Sequence, residues 1–346
     1  MQNFNKWKLN LIGFDQHSIL KLIKLLNLKN FIADQLFYWI YNKNIIDFNN
    51  MKNISLKSLI LLNKISKIEV NLIKKEIISS DNTIKWLISV DESNFIESVA
   101  IPNRKESYTL CVSSQVGCAM NCSFCYTGKQ GFVRNLTSSE IISQVFQAKK
   151  RLNVFFKDKK ITNIVFMGMG EPLLNIENVL SSIDILSNKS AFNIHKNKIT
   201  VSTSGILFNL IILLKHRIPL ALSLHSPFDK ERSSIMPINK KYSISDILSF
   251  CKNFDNFTVE YIMIKNLNDS LDHAFKLSDI LIDLNCKICL IPFNYFSGSE
   301  YEQSDIKNII SFKQVLIKHG KVTTIRKRFG FDIEAACGQL RGLIKK

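Results

Sequence analysis

Three cysteines in the run Cys118-Ala119-Met120-Asn121-Cys122-Ser123-Phe124-Cys125 are spaced to close around one face of a cubic iron–sulfur cluster, each thiolate holding one iron. Four-cysteine frames ligate every iron of such a cluster. A run of three leaves one iron open, and an open iron can bind a substrate. The competing chemistries are a tetrahedral zinc, which would want a fourth ligand such as Cys111, or thiols that hold no metal.

Such a loop needs a scaffold, and the chain changes character along its length. Residues 1 to about 75 read as helical and contain no cysteine. Amphipathic spacing predicts a helix over His17–Leu28, a second over Phe31–Tyr41 burying Leu36, Phe37 and Ile40, and a third near Ser55–Ile65. Lys21, Lys24, Lys29, Lys43, Lys52, Lys57 and Lys64 punctuate all three, as a solvated face or as an RNA-docking one. From Glu76 to Pro102, apolar runs separated by turn clusters predict a three-stranded meander. Its one internal acid, Glu97, is expected to face solvent.

From Tyr108 onward strands and helices alternate with little linker. Strands are predicted at 108–112, 161–167, 198–202, 220–224, 257–264, 287–291 and 322–325. About six βα units in series predict an α/β fold, a parallel sheet curled into a full or partial TIM-type barrel. Thr137 and Glu140 are placed as a capping box opening one of the helices. Ligands should then gather where strands end. The cysteine loop follows the first barrel strand. The next strand ends in Met167-Gly168-Met169-Gly170-Glu171-Pro172, which lacks the third glycine and immediate helix of a dinucleotide turn. Ser202-Thr203-Ser204-Gly205, Ser223-Leu224-His225-Ser226 and Ile291-Pro292-Phe293-Asn294 follow later strands, so four polar loops share the cysteines' rim. Cys286 and Cys289 have the spacing of a redox pair but lie along a strand, pointing to opposite faces, and are expected to pack in the core, as is Cys251.

Composition narrows the setting. The chain has 346 residues, 46% of them apolar, enough for about two domains. No charged and apolar leader opens it, and no stretch is long enough to span a membrane. Eight cysteines in such a chain point to a reducing cytoplasm and to metal or catalytic use. The net charge of +17 suits a polyanionic partner, although the abundance of Lys, Asn, Ile and Phe also fits an AT-rich coding sequence.

The cysteine motif, with Phe124 before its last thiol, resembles that of the radical S-adenosylmethionine (SAM) enzymes, whose open iron chelates SAM. The run from Thr109 through Phe132, together with Gly-Met-Gly-Glu-Pro, Ser-Thr-Ser-Gly, Ser-Leu-His and Ala335-Ala336-Cys337-Gly338-Gln339-Leu340, is similar to the RlmN/Cfr family of radical SAM RNA adenosine methyltransferases. The likeness covers residues from about 76 to the end, and the helical N-terminus suits the family's accessory domain. It implies a helical RNA-docking unit over 1–75, a β-strand extension over 76–104 and a partial (βα)6 radical SAM barrel over 105–346, whose C-terminal segment carries Cys337.

The resemblance also implies site roles. Cys118, Cys122 and Cys125 would ligate one [4Fe-4S] cluster. Gly170 and Glu171 would meet the amino group of SAM, with Ser202, Ser223, Leu224, His225 and Asn294 completing the pocket. Glu97 would accept a proton, Cys337 would be methylated, and Cys111 would resolve it. Two SAM would be used per turnover, because C2 of adenine is electron-poor and offers no nucleophile, whereas a thiolate does. The implied partners are 23S rRNA, at its peptidyl transferase centre, and tRNA beside the anticodon. An electron donor such as flavodoxin and a monomeric, cytoplasmic, membrane-free protein are also implied. Methylation at C8 of the same rRNA adenine remains an alternative. Methylthiotransfer would need a second cysteine triad upstream, and no cysteine precedes Cys111. An RNA-binding iron–sulfur sensor would not need both Cys111 and Cys337. Tyr295 and the run Phe329-Gly330-Phe331-Asp332 depart from the family pattern, which commonly has proline at the first and Arg-Gly-Asp-Asp at the second.

Overall fold

The computed structural model describes residues 8–103, 107–156 and 159–343. Its N-terminal part contains β1 (Leu9–Asn10), α1 (Gln16–Leu25), α2 (Phe31–Phe37), α3 (Leu56–Ile65) and β2 (Ser66–Lys67), with β1 and β2 paired in parallel. Asp15 and Ser55 cap α1 and α3 by accepting from the backbone N–H three residues on. The second helix extends beyond α2 as a π-turn over Tyr38–Asn42. Tyr41 at its heart donates to the carbonyls of Leu11 and Phe14 and packs 6.0 Å from the rings of both Phe146 and Phe192. The helices therefore share one continuous apolar core with the rest of the chain.

The meander forms as expected: β3 (Ile73–Ile78), β4 (Ile84–Ser89) and β5 (Phe95–Pro102). It does more than connect. β5 pairs antiparallel with β6 (Ser107–Cys111), so the meander continues the main sheet. After β6 come the short β7 (Gln115–Gly117), α4 (Tyr126–Lys129) and β8 (Phe132–Asn135), then α5 (Ser138–Phe155), β9 (Lys160–Phe166) and α6 (Ile176–Ser187). The capping box of Thr137 and Glu140 is present at the start of α5. The series continues with β10 (Ile199–Thr203), α7 (Leu207–Lys215), β11 (Leu220–Ser223), α8 (Asp229–Ile235), α9 (Ile244–Cys251), β12 (Phe257–Met263), α10 (Leu271–Ile280), β13 (Cys286–Pro292), α11 (Ile306–Lys318) and β14 (Val322–Ile325).

The sheet runs β14-β13-β12-β11-β10-β9-β6-β5-β4-β3, parallel from β14 to β6 and antiparallel beyond. Its two ends do not pair with each other, so the barrel is open. β5 and β12 bury most of their side chains and read as largely apolar runs, whereas β10 alternates between buried and half-buried positions. Polar residues inside such runs are then conspicuous, and two of them are carboxylates, Glu97 and Glu260.

Candidate active site

The cysteine loop is built as the tip of a hairpin. β7 and β8 pair antiparallel, and the Cys118 N–H donates to the carbonyl of Gly131 across the neck. Gly117, at φ +71°, makes this possible, since a Cβ there would lie 1.9 Å from the Gly131 oxygen. Gly128 is packed equally closely, with its Cβ position 2.9 Å from the backbone nitrogen of Cys122. Gln144 clamps the base of the loop, accepting from Ser113 N–H at 2.8 Å and donating to its carbonyl at 2.9 Å.

Cys118, Cys122 and Cys125 are free thiols lining one cavity of about 150 Å3. Burial pushes the Cys118 thiol up to about 12 and raises the other two, against N–H groups that donate to sulfur: Met120 to Cys118, and Gly128 and Thr127 to Cys125. Three unbridged thiols with amides aimed at sulfur, in an apolar wall with Phe124 and Met236, fit the thiolate donor set of a [4Fe-4S] cluster with one iron left to a ligand.

The same cavity is walled by the strand-end loops: Gly168, Gly170 and Glu171 after β9, Ser202, Thr203 and Ser204 at the end of β10, and Ser223 and His225 at the end of β11. Contrary to the sequence expectation, a helical turn does start at Pro172, capped by the Glu171 carboxylate accepting from Leu173 N–H. Its other oxygen accepts from the N–H and the hydroxyl of Ser204, each at 2.8 Å, and burial raises its pKa against these bonds. His225 stands at φ +62° beside Phe124. Its Nδ1 accepts from Ile262 N–H, so the ring proton lies on Nε2; burial lowers the pKa to about 3 and keeps the ring neutral. Leu224 is fully buried and does not line the cavity.

A second, smaller cavity of about 60 Å3 adjoins the first and is shared by Cys111 and Cys337. Cys111 ends β6; Cys337 arrives on the C-terminal segment and lines both cavities. Burial raises both thiols; Cys337 adds to the rise at Cys111, and Arg326 opposes the rise at both. Arg326 Nη1 lies 3.4 Å from Cys337 Sγ, and its Nη2 is bonded to Glu260. Burial would raise Glu260, but Arg326 and the Ser202 hydroxyl at 2.9 Å hold it below the usual carboxylate range. Asn294 lines this second cavity rather than the cluster-side one, donating to the Cys337 carbonyl and accepting from Arg328. Arg328 also donates to the Phe293 carbonyl, which puts a guanidinium beside the site although Phe329 carries none.

Two expectations need correction. Glu97 is not solvent-facing. It is 6% exposed, 3.4 Å from Lys85 Nζ, and accepts from the Arg341 N–H at 2.8 Å, in a separate cleft of about 290 Å3. Cys289 is not a core residue. It is half-buried, and its register partner is Glu260, so both side chains face the barrel interior; Cys286 alone joins the apolar core, with Cys251. Sequence reasoning also passed over Ser204, Arg232, Glu260 and Arg326. A lone acid within an apolar strand was the available signal for Glu260, the same one that Glu97 carried.

Residues 112–277 match the radical SAM superfamily, and residues 9–68 match the ribosomal RNA large subunit methyltransferase N-terminal domain. The chain is 45% identical, over 99% of its length and 96% of the relative's, to the dual-specificity RNA methyltransferase RlmN of Buchnera aphidicola subsp. Schizaphis graminum. It is 42% identical to the protein of the same name from Vesicomyosocius okutanii, with 97% and 96% covered. Among solved structures, a radical SAM methyltransferase from Sphaerobacter thermophilus superposes with a TM-score of 0.91 at 33% identity, covering 97% of this chain and all of that one. Sequence and fold thus agree over almost the whole length, and the chain belongs to the RlmN family of radical SAM methyltransferases.

Proposed function

We propose that the protein methylates C2 of an adenosine in 23S rRNA and in tRNA, through an S-methylcysteine formed on Cys337. The observation that carries this is the shared cavity of Cys111 and Cys337, two unbridged thiols distant in sequence and adjacent to the three-cysteine loop. C8 methylation needs the same groups and no particular feature favours it.

Cys118, Cys122 and Cys125 would hold the [4Fe-4S] cluster, and Gly170, Glu171, Ser202, Ser223 and His225 the SAM, with Leu224 packed behind that wall and Asn294 acting on the Cys337 segment instead. When bound, cluster and SAM supply a hydrogen-abstracting 5′-deoxyadenosyl radical. The thiolate of Cys337, steadied by Arg326, accepts a methyl group from a first SAM by displacement. Loss of a hydrogen atom from that methyl lets its carbon bond to C2, after which one electron must leave the adduct, for which the cluster would be the acceptor. Glu97 takes the C2 proton. Because Glu97 is engaged by Lys85 and by Arg341 N–H, this step requires the C-terminal segment to shift. Cys111 then attacks the Cys337 sulfur, forming a disulfide and breaking the bond to the methylene carbon, which leaves with the electron pair and takes up a proton to become the methyl group.

The helices of residues 1–75 are assigned to RNA docking, residues 76–104 to an extension that presents Glu97, and 105–346 to the barrel. The target base must be flipped or unpaired to enter. The basic chain, at +17, should bind RNA through phosphates, so affinity falls steeply as salt rises. A flavodoxin-like donor, a monomeric state and a cytoplasmic setting complete the reading; no helix among the described residues is long and apolar enough to cross a membrane.

The decisive experiment is Cys111→Ala. It should still methylate Cys337 and add to RNA, then stall, giving a nuclease-sensitive band of retarded mobility on a denaturing gel. Normal turnover by this variant, or an adduct mapped to another residue, would refute the two-thiol reading.

A further inference from the structure

Arg232 is 0% exposed, one of the largest side chains wholly removed from solvent. Its guanidinium donates to four acceptors: the carbonyls of Leu224 at 2.9 Å, Ser204 at 2.7 Å and Ser223 at 2.9 Å, and Asn239 Oδ1 at 2.7 Å. All four are uncharged. The Asp229 carboxylate is reached only at second hand, through the Asn239 amide, whose Nδ2 donates to it at 2.9 Å. Hydrogen bonds to carbonyls satisfy the N–H groups but do not neutralise the charge. Burying an unpaired cation costs several kcal/mol.

The cysteine loop packs against the helix that carries this charge. Arg232 belongs to α8, and the carbonyl of Ile235, at the end of that helix, accepts from Ser123 N–H at 3.0 Å, between Cys122 and Cys125. The next residue, Met236, lines the cavity with the three thiols. The Ser204 and Ser223 carbonyls that bond the guanidinium belong to residues on the same cavity's wall. Burial lowers the Arg232 pKa to about 10, and Cys122 opposes that fall more than Asp229 does.

We propose that Arg232 is the built-in counter-ion of the iron–sulfur cluster and holds its reduction potential up. This rests on the reading that Cys118, Cys122 and Cys125 carry that cluster. Three thiolates make the oxidised cluster a net anion, and one electron, from dithionite in the assay, makes it more negative. A fixed cation in a low-dielectric wall stabilises the reduced form more than the oxidised one. Arg232 is thus a positioning residue with an electrostatic duty: it pins the ends of β10 and β11 and favours uptake of the electron.

The test is a dithionite redox titration of the reconstituted holoprotein, without SAM, followed by electron paramagnetic resonance and with iron per chain measured in parallel. Asn239→Asp sets a carboxylate against the guanidinium without removing its hydrogen bonds. At the wild-type midpoint it should lower the ratio of reduced to oxidised cluster at least tenfold, a shift of 59 mV for one electron. Arg232→Gln, if it folds with full iron, should shift in the same direction, and Arg232→Lys should stay near the wild type. Unchanged potentials in Asn239→Asp and Arg232→Gln at full iron would overturn the proposal. So would unchanged potentials with weakened SAM binding, which would assign the charge to the SAM carboxylate. Iron lost equally from Lys and Gln variants, with an unshifted Asn239→Asp, would leave only the structural pin. A wild-type chain that assembles no cluster would instead sink the reading on which this rests.

Discussion

Two arginines flank the site, Arg232 buried and Arg326 half-buried, and are treated oppositely. Arg326, beside Cys337, has its charge matched inside the protein by Glu260. Arg232, beside the cysteine loop, has only neutral acceptors. The thiol side of the site is therefore electrostatically closed before any ligand arrives. The cluster side is left with a guanidinium that no carboxylate touches, a charge that an anionic cofactor would answer. Preorganisation on the first side and anticipation on the second follow from the same residue type, because a buried guanidinium must find either a carboxylate or a ligand.

The largest effects should separate the two sides outright. Cys118→Ala, Cys122→Ala and Cys125→Ala are each expected to abolish iron binding and SAM cleavage with the fold retained. Cys337→Ala should also abolish RNA methylation, yet with full iron and intact SAM binding. Iron assay and SAM-cleavage chromatography decide it; a Cys122→Ala protein with full iron content and activity would merge the two sides and break the comparison.

Next in size is the internal ion pair. Glu260→Gln leaves Arg326 without its counter-charge, and removing one partner of a buried pair costs about 3–5 kcal/mol. Arg326 keeps 29% of its side chain exposed, so a loss of roughly 2–3 kcal/mol is expected in denaturant unfolding. The double change Glu260→Gln with Arg326→Met should recover part of it. Additive losses would show that the two groups are not coupled.

A smaller contrast lies within β13. Cys286→Ala removes a core sulfur and should cost about 1 kcal/mol. Cys289→Ala, facing the barrel interior, should cost less, and neither should change iron content. Iron lost from Cys289→Ala would show a ligand misassigned.

The smallest effect is far from both arginines, where Glu76 is held by Arg151 at 2.7 Å and by the Trp86 indole N–H. Burial would raise its pKa, but these partners outweigh burial and hold it below the ordinary value. The stability it contributes is present above the unfolded value, about 4.3, and is lost as pH falls through the lower folded value. Glu76→Gln should cost about 0.5 kcal/mol at pH 7, as partly exposed pairs do. That difference should fade in unfolding measured below about pH 4, and a gap that widened with acid would contradict the sign.

The sequence alone determined the order of the elements and the address of the loops. Apolar strand runs, the capping box of Thr137 and Glu140, and the spacing of Cys118, Cys122 and Cys125 are local properties. Local chemistry makes them legible, because a cap or a strand depends on neighbours within a few residues. Boundaries drifted where no punctuation marks them: the helix expected over His17–Leu28 closes as α1 at Leu25, and α8 was not read at all.

Only the tertiary structure decided which side chains meet. Glu97 looked like a solvent-facing acid because nothing near it in sequence says that Lys85 and the Arg341 N–H will enclose it. Cys289 looked like core because a strand's period assigns opposite faces without saying which face is the barrel's interior. Cys337 reaches Cys111, Arg326 finds Glu260, and Arg232 finds the strand-end carbonyls through contacts between residues far apart in the chain. Burial sets the worth of each charge, and burial is a property of the curled sheet and its helices rather than of any residue in it.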